Sequence, residues 1–291
     1  MPPRLPEFLI KPTPKHQNMI KIRALLGDTS VRTVCEEARC PNIGECFARQ
    51  TCTFLILGDT CTRSCAFCGV KKGAPLPPDP EEPKKIAAAI NKLGLNYAVI
   101  TSVTRDDLPD GGAEHFKNVG TALVAVRNNS RTGTSPVPTL RIEFLIPDFQ
   151  GDPAALRIVL EARPYVLNHN VETVPRLYGQ VRPQANYRRS LDLLSAAKRS
   201  GRVVYTKSGF MVGLGEAEDE VLAVIEDLKG AGCDLVTIGQ YLPPSRTHRQ
   251  PERYVTPDEF ARYAEITGVK VLAGPFVRSS YLAEETVCKK H

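Results

Sequence analysis

Two groups of closely spaced cysteines are the residues in this sequence best suited to chemistry. The first group is Cys35, Cys40 and Cys46, and the second is Cys61, Cys65 and Cys68. Closely spaced thiolates bind iron–sulfur clusters, and a cluster closed by protein ligands alone uses four of them. The second group supplies only three, from one short loop, so one iron would be left to bind a substrate or cofactor. The spacing therefore predicts two clusters, and hence an enzyme.

The alternatives for these cysteines are disulfide bonds and structural zinc. Disulfide frameworks are typical of short secreted domains, whereas this chain has 291 residues, nine cysteines and no charged-then-apolar signal segment at its start. Structural zinc normally has four Cys or His ligands. Each group here lacks an adjacent fourth ligand, so the spacing disfavours zinc without excluding it.

The residues around the cysteines resemble those of the radical S-adenosylmethionine (SAM) superfamily. The cluster loop of that superfamily has an aromatic residue before its third cysteine, where this chain has Phe67. The upstream pattern C-x4-C-x5-C resembles the auxiliary-cluster motif that marks the lipoyl synthase family within the superfamily. Near the end of the chain, Arg278-Ser279-Ser280-Tyr281 matches the terminal R-S-S-Y of the same family. Three separated motifs thus extend the resemblance over most of the chain.

The resemblance implies two 4Fe-4S clusters, SAM and a sulfur-inserting reaction. The cluster on the second cysteine group would bind SAM through its open iron, and one electron would cleave SAM to methionine and a 5′-deoxyadenosyl radical. The first group would hold an auxiliary cluster with Ser280 as its fourth ligand, and this cluster would be consumed as the sulfur donor. The alternative for Ser279 and Ser280 is that they close a C-terminal turn. By resemblance, sulfur would enter at C6 and C8 of an octanoyl group on a carrier lysine.

The resemblance also implies protein partners. They are octanoylated lipoyl carrier domains (of 2-oxoacid dehydrogenase E2 components or the glycine cleavage H protein), reduced ferredoxin or flavodoxin, and an iron–sulfur cluster carrier. Two alternatives remain for the function. One is another radical SAM sulfur-inserting enzyme, similar to biotin synthase and acting on a small molecule, although such enzymes lack the first cysteine group. The other is a non-catalytic iron–sulfur carrier, which would need no large barrel.

Candidate SAM contacts lie mainly at the ends of predicted strands and in the loops that follow them. In barrels, the C-terminal strand ends and their loops build the active site. The candidates, several of them matched to family positions near the cofactor, are Phe67, Thr101, Ser102, Asn170, Glu172, Arg188 and Met211. For Arg188 the alternative is an exposed arginine at the start of a helix.

Other chemically capable residues are expected to be structural. We expect Asp106 and Asp107 to be solvated turn residues and His169 to be a core histidine with both ring nitrogens paired. Three cysteines outside the two groups are expected to pack inertly, and they are Cys52, Cys233 and Cys288.

Composition and charge restrict the class of protein further. The net charge of +6 is modest and the basic residues are scattered, so nucleic-acid binding gains no support. No apolar run is long enough to cross a bilayer, and we expect no membrane partner. Nine cysteines without a secretion signal predict a reducing, cytoplasmic location.

Strand and helix patterns alternate along the chain and must position these residues. The predicted strands, each a short apolar or β-branched run, cover residues 53–57, 97–102, 140–145, 165–170, 203–206 and 235–240. The predicted helices between them cover residues 83–93, 113–128, 153–162, 187–200 and 217–231. Six such units predict an α/β fold, an incomplete (βα)6 TIM-like barrel with an N-terminal cluster-binding extension and a C-terminal extension.

The motifs divide the chain into three parts. Residues 1–52 are predicted to form an N-terminal arm and the auxiliary-cluster segment, and residues 53–250 the barrel core. Residues 251–291 are predicted to be a C-terminal extension that carries the R-S-S-Y motif. In that extension a helix near 257–267 and a strand at 269–272 are expected to return the motif to the mouth of the barrel.

Overall fold

The computed structural model describes residues 5–12, 16–27, 31–129 and 140–288. The polar loop predicted at 131–138 and the first prolines of the arm lie outside the described residues, as does the side chain of Cys288. The strands are β1 (Arg32–Thr33), β2 (Thr53–Ile56), β3 (Thr60–Cys61), β4 (Lys71–Lys72), β5 (Tyr97–Ser102), β6 (Arg141–Leu145), β7 (Val166–Asn168), β8 (Tyr205–Val212), β9 (Leu235–Gln240) and β10 (Lys270–Gly274).

The helices fall mainly between the strands. They are α1 (His16–Gly27), α2 (Val34–Glu37), α3 (Ile43–Ala48), α4 (Glu82–Leu93), α5 (Ala113–Asn129), α6 (Pro153–Glu161), α7 (Tyr178–Val181), α8 (Tyr187–Arg199), α9 (Glu218–Gly230), α10 (Pro257–Ala264) and α11 (Ala283–Cys288). Short 3-10 turns occur at Glu7–Leu9, Phe149–Gly151 and Pro175–Leu177. Among the described helices, none is long and apolar enough to span a membrane.

One curved sheet forms the centre of the molecule. Its strand order is β1-β2-β5-β6-β7-β8-β9-β10, and all neighbouring pairs are parallel except the antiparallel pair β1 and β2. Parallel strands need crossover connections, and the helices supply them while covering the outer face. The predicted incomplete TIM-like barrel is confirmed.

The barrel differs from the prediction in two strands. β10, predicted as part of a separate extension, pairs in parallel with β9 and becomes a seventh barrel strand. β8 runs from Tyr205 to Val212, beyond the predicted end at 206, and so carries Met211. The part of β8 that was not predicted begins with Lys207, Ser208 and Gly209. Their side chains are polar or small, so a search for apolar runs does not recognise this segment as a strand.

Local sequence signals explain where the crossover helices begin. Asp152 precedes α6 and its carboxylate accepts a hydrogen bond from the Ala154 amide at 2.8 Å, with Pro153 at the first helical position. Thr256 and Glu259 form a reciprocal capping box at the start of α10. The apolar faces of the helices then pack on the strands, as α9 does with buried Val221 and Ile225.

A buried ion pair occupies the sheet interior beneath the strand ends. The Lys207 Nζ atom lies 3.1 Å from Glu143 Oε1, and both side chains are almost fully buried. The Tyr97 hydroxyl donates to Glu143 at 2.6 Å and the Asn168 amide donates at 2.8 Å. A buried charge pair is stable only when further hydrogen bonds satisfy it, and these two bonds do so.

Candidate functional site

The two cysteine groups meet at one cavity at the C-terminal strand ends. The cavity has a volume of about 370 Å³. Its lining includes all six predicted cluster cysteines and Ser280. No three Cys, His, Asp or Glu side chains of the described residues lie close enough to share a single metal ion. Both cysteine groups thus border a common space.

The loop of Cys61, Cys65 and Cys68 is fixed by backbone hydrogen bonds. The Cys61 Sγ atom accepts hydrogen bonds from the Arg63 and Thr104 amides, both at 3.4 Å. The Ala66 amide donates to the Val181 carbonyl at 2.8 Å, which ties the loop to the far side of the barrel. Burial raises the pKa of the Cys68 thiol to about 12. A metal ion bound at this thiol would therefore have to displace a tightly held proton.

Arg63, inside the cluster loop, joins that loop to two carboxylates. Its guanidinium lies 2.6 Å from Asp106 and 2.7 Å from Asp148, and Asp148 also accepts from Arg189 at 3.1 Å. Burial opposes ionisation of Asp148, but the Arg63 hydrogen bond and charge outweigh it and lower the pKa of Asp148 to about 2. Asp106 is thus an ion-pair partner of a buried arginine.

The expectation of a solvated turn residue is wrong for Asp106, whereas Asp107 lies exposed in the turn as expected. Asp107 pairs with the buried Arg105 at 2.8 Å, as Asp106 does with Arg63. Both arginines are nearly inaccessible to solvent, and a buried guanidinium requires a carboxylate partner. The turn itself gave no sign of this because the partner of Asp106 lies 43 residues earlier in the chain.

The first cysteine group lies on two short helices. Cys35 is in α2, Cys46 is in α3, and Cys40 lies in the turn between them, where its amide donates to the Cys35 carbonyl at 3.0 Å. The Thr33 hydroxyl caps α2 by accepting from the Glu36 amide. Burial raises the pKa of Cys35 to about 12 and that of Cys46 to about 11.

The R-S-S-Y segment returns to the cavity beside the first cysteine group. The Ser279 hydroxyl donates to Asn170 at 2.7 Å and accepts from Asn168 at 3.0 Å. Ser280 also lines the cavity, and in the described part of the chain its hydroxyl has no hydrogen-bond partner. Of the two serines, only Ser280 has a hydroxyl left to bind a ligand.

Six of the seven candidate SAM contacts line the cavity, and one does not. Those that do are Phe67, Thr101, Ser102, Asn170, Glu172 and Met211. The Arg188 side chain is 80% exposed on α8 and pairs with Asp192 at 3.1 Å, so the structure does not bring it to the site. At the start of a helix, one position decides whether a side chain faces solvent or the barrel, and the neighbouring Arg189 is the one that reaches Asp148.

Arg182 is a cavity residue that the sequence motifs did not predict. Its guanidinium donates to the Asn170 carbonyl at 2.8 Å and lies over the Tyr178 ring. Burial raises the pKa of Glu172, while the charge of Arg182 opposes that rise. The available signal was an arginine 12 residues beyond Asn170, the end of the fourth predicted strand, and this does not distinguish it from a surface residue.

Glu172 and His169 lie just after β7, and hydrogen bonds fix both of them. Glu172 has φ of +66°, in the left-handed region that few non-glycine residues adopt, and its amide and carbonyl bond the backbone of β8 at 3.0 and 2.9 Å. The His169 ring nitrogens bond the Ile146 carbonyl and the Ser190 hydroxyl. The prediction of a satisfied core histidine is confirmed.

Comparisons with known proteins agree with this geometry. The model of the Radical SAM superfamily matches residues 55–228. A lipoyl synthase from Caldicellulosiruptor saccharolyticus is 52% identical over 290 residues, covering 98% of each chain. One from Oleidesulfovibrio alaskensis is 51% identical over 292 residues, covering 99% of this chain and 96% of its own.

The chain belongs to the lipoyl synthase family. Its members are radical SAM enzymes, and membership implies a 4Fe-4S cluster and SAM. Of the two alternatives, the non-catalytic iron–sulfur carrier is therefore excluded.

Solved structures support the fold of this lipoyl synthase family member. Methylornithine synthase superposes with a TM-score of 0.55 at 15% identity, covering 75% of this chain and 63% of its own. Streptococcus suis SuiB bound to S-adenosylmethionine superposes with a TM-score of 0.55 at 9% identity, covering 80% of this chain and 53% of its own. At such low identity the likeness concerns the fold alone.

Unpaired polar atoms in the site fit a bound SAM. In the described residues, Ser102 Oγ and Arg182 Nε are buried without a hydrogen-bond partner, and both residues line the cavity. Buried polar atoms without partners are costly, so a ligand with polar groups would satisfy them. Gly209 is needed for close packing at the cavity wall, since a Cβ atom on it would lie 2.3 Å from Thr237 Oγ1. Three thiolates on one loop suit a cluster that keeps one iron open.

Proposed function

We propose that this member of the family inserts two sulfur atoms, at C6 and C8, into an octanoyl group amide-linked to a lysine of a lipoyl carrier domain. The single observation that carries the proposal is that both cysteine groups line one cavity. A radical source and a sulfur source must act on the same carbon, so they must share one substrate space.

Cys61, Cys65 and Cys68 are proposed to hold the cluster that binds SAM. Together, this cluster and SAM supply the one-electron cleavage that yields a hydrogen-abstracting radical. The amides of Arg63 and Thr104 donate to the Cys61 sulfur and so fix its position in the loop.

The remaining polar wall is proposed to orient SAM. Glu172 can accept hydrogen bonds from ribose hydroxyls, and Arg182 donates from the same side of the cavity. The other proposed contacts are Phe67, Thr101, Ser102, Asn170 and Met211. The exposed Arg188 is left out of this set.

Cys35, Cys40, Cys46 and Ser280 are proposed to hold the second, auxiliary 4Fe-4S cluster, which supplies both sulfurs. A serine oxygen is a harder ligand than a thiolate and is more easily protonated and lost from iron. The free hydroxyl of Ser280 supports this role, because Ser279 is already engaged with Asn168 and Asn170.

The three-part division of the chain follows from these roles and stays part of the proposal. Residues 1–52 would present the auxiliary cluster, residues 53–250 would bind SAM, and residues 251–291 would supply Ser280. The proposed partners are octanoylated carrier domains, reduced ferredoxin or flavodoxin and a cluster carrier, all in the cytoplasm. A net charge of +6 would favour encounter with acidic carriers.

Anaerobic turnover with an octanoylated carrier peptide tests the proposal. The enzyme is incubated with the peptide, SAM and a reductant, and mass spectrometry follows the peptide while chromatography follows 5′-deoxyadenosine. We expect both 5′-deoxyadenosine and a peptide that has gained two sulfurs. If 5′-deoxyadenosine forms and the peptide stays unchanged while a small-molecule acceptor gains sulfur, the biotin-synthase-like alternative is correct instead.

A further inference from the structure

The residue before Ser280 is anchored at the C-terminal end of β7. The Ser279 hydroxyl uses both its donor and its acceptor capacity, on Asn170 Oδ1 at 2.7 Å and on Asn168 Nδ2 at 3.0 Å. The same Asn168 amide group donates to Glu143 at 2.8 Å, within the buried pair that Glu143 forms with Lys207. Ser279 is therefore tied to the most deeply buried charges of the sheet.

The residue after Ser280 is anchored to the auxiliary-cluster segment. The Tyr281 hydroxyl donates to Glu45 Oε1 at 2.7 Å, and Glu45 Oε2 accepts from Lys11 Nζ at 3.0 Å. Lys11 also donates to Asn42 Oδ1 at 2.7 Å and lies 4.4 Å from the Phe276 ring centroid. The Asn42 amide group in turn donates to the Phe276 carbonyl at 2.7 Å. We call these five connected residues, Lys11, Asn42, Glu45, Phe276 and Tyr281, the latch.

The latch joins three parts of the chain that are distant in sequence. Lys11 comes from the N-terminal arm, Asn42 and Glu45 lie between Cys40 and Cys46, and Tyr281 is 236 residues beyond Glu45. Ser280 stands between the two anchored neighbours, and its own hydroxyl has no partner among the residues that the structure describes. Neighbouring Cα atoms are about 3.8 Å apart, so fixing both neighbours leaves Ser280 little freedom to move.

We propose that Ser279 and Tyr281 are positioning residues that hold Ser280 at the fourth iron of the auxiliary cluster, and that the latch controls how readily this iron is lost. The inference rests on the proposed ligand role of Ser280. Both anchors reduce the entropy that Ser280 loses on binding iron, because they order its backbone before the bond forms. Weakening either anchor should therefore favour dissociation of Ser280 from the iron.

Iron release from a chain that carries only the auxiliary cluster tests this inference. The full-length chain with Cys61→Ala, Cys65→Ala and Cys68→Ala is reconstituted anaerobically, and the transfer of iron to a chelator is timed. We expect Tyr281→Phe and Lys11→Met each to speed release of the first iron about tenfold, the factor expected for one lost charge-assisted hydrogen bond. Ser279→Ala removes two neutral hydrogen bonds and should have an effect of about the same size. In the same variants, Mössbauer spectra should show a smaller signal from the iron that Ser280 binds.

A matched control separates positioning from general destabilisation. Tyr187→Phe also removes a tyrosine–carboxylate hydrogen bond, of 2.9 Å to Asp227, at a place outside the cavity lining. It should release iron at the parent rate. Equal acceleration by Tyr187→Phe would overturn the inference. So would parent-like release from Ser279→Ala and Tyr281→Phe when Ser280→Ala releases iron fast. If Ser280→Ala itself behaves like the parent, the proposed serine ligand is wrong.

Discussion

At the scale of single residues, buried ionisable side chains hold the wall of the cavity in place. Asp148 accepts from Arg63 in the cluster loop and from Arg189 on α8, while its own side chain is inaccessible to solvent. The carboxylate thus links the loop of one cysteine group to a crossover helix. Removing its charge would leave the Arg63 guanidinium, which is also buried, with one carboxylate partner fewer.

We therefore expect Asp148→Asn to lower the free energy of unfolding by about 3 kcal/mol, the cost typical of breaking a buried ion pair. Urea denaturation under anaerobic conditions measures the change. The control is Asp192→Asn, which breaks the exposed Arg188 pair and should cost less than about 0.5 kcal/mol. Similar losses in the two variants would show that the Arg63–Asp148 pair does not stabilise the site.

His169 makes stability depend on pH. Burial lowers its pKa from 6.5 to about 4, so the folded chain keeps the ring neutral where the unfolded chain protonates it. The contribution of the neutral ring is complete above pH 6.5 and is lost as the pH falls from there towards 4. Stability falls over this pH range because the unfolded chain, and not the folded one, binds a proton at His169.

Between about pH 7.5 and about pH 5.5 we expect this histidine to lower the free energy of unfolding by about 1 kcal/mol. His169→Gln can keep one of the two hydrogen bonds but cannot take up the proton. The difference in unfolding free energy between wild type and this variant, measured by urea denaturation at both pH values, should change by that amount. A pH-independent difference would contradict the assignment.

At the scale of elements, close contact between β9 and the C-terminal segment sets the position of R-S-S-Y. A Cβ atom on Gly239 would lie 2.0 Å from the Val277 carbonyl oxygen and 2.9 Å from Arg278 Nη1. The glycine is therefore needed for close approach, and Gly239 pairs with Gly274 at the end of β10. Through this contact, the seventh strand is coupled to Ser280, the proposed serine ligand.

Gly239→Ala should push the C-terminal segment away from the barrel mouth and cost about 2 kcal/mol of stability through overpacking. Because Ser280 follows that segment, we expect sulfur insertion to fall at least about tenfold while 5′-deoxyadenosine formation is less affected. Both products are measured in the same anaerobic assay. Gly230→Ala is the control, since a Cβ atom there meets nothing within 4 Å. Parallel loss of the two products would contradict the proposed coupling.

At the scale of the whole molecule, the shared cavity predicts that the two chemical steps can be separated by mutation. Cys35 and Cys61 line the same space but belong to different cysteine groups. Cys35→Ala should abolish sulfur insertion and leave SAM cleavage within about threefold of wild type, because only the auxiliary cluster loses a ligand. Cys61→Ala should abolish both. The measurement is 5′-deoxyadenosine and peptide mass in the same assay. Loss of SAM cleavage in Cys35→Ala would contradict the proposed separate roles of the two cysteine groups.

The sequence by itself determined what local patterns encode. Both cysteine groups lie within short segments, so their spacing alone predicted them to be ligands of iron–sulfur clusters. Helices such as α8 and α6 begin at the predicted residues because their apolar period and caps are local. The six predicted strands were recognisable for the same reason.

Only the tertiary structure decided which distant residues meet. It turned Arg188 to solvent and brought Arg182 to the cavity, gave the turn residue Asp106 a buried partner, and paired Tyr281 with Glu45. It also joined the C-terminal strand to the barrel as a seventh strand. Such contacts depend on how helices and loops pack against the sheet, and a linear pattern carries no record of partners far apart in the chain.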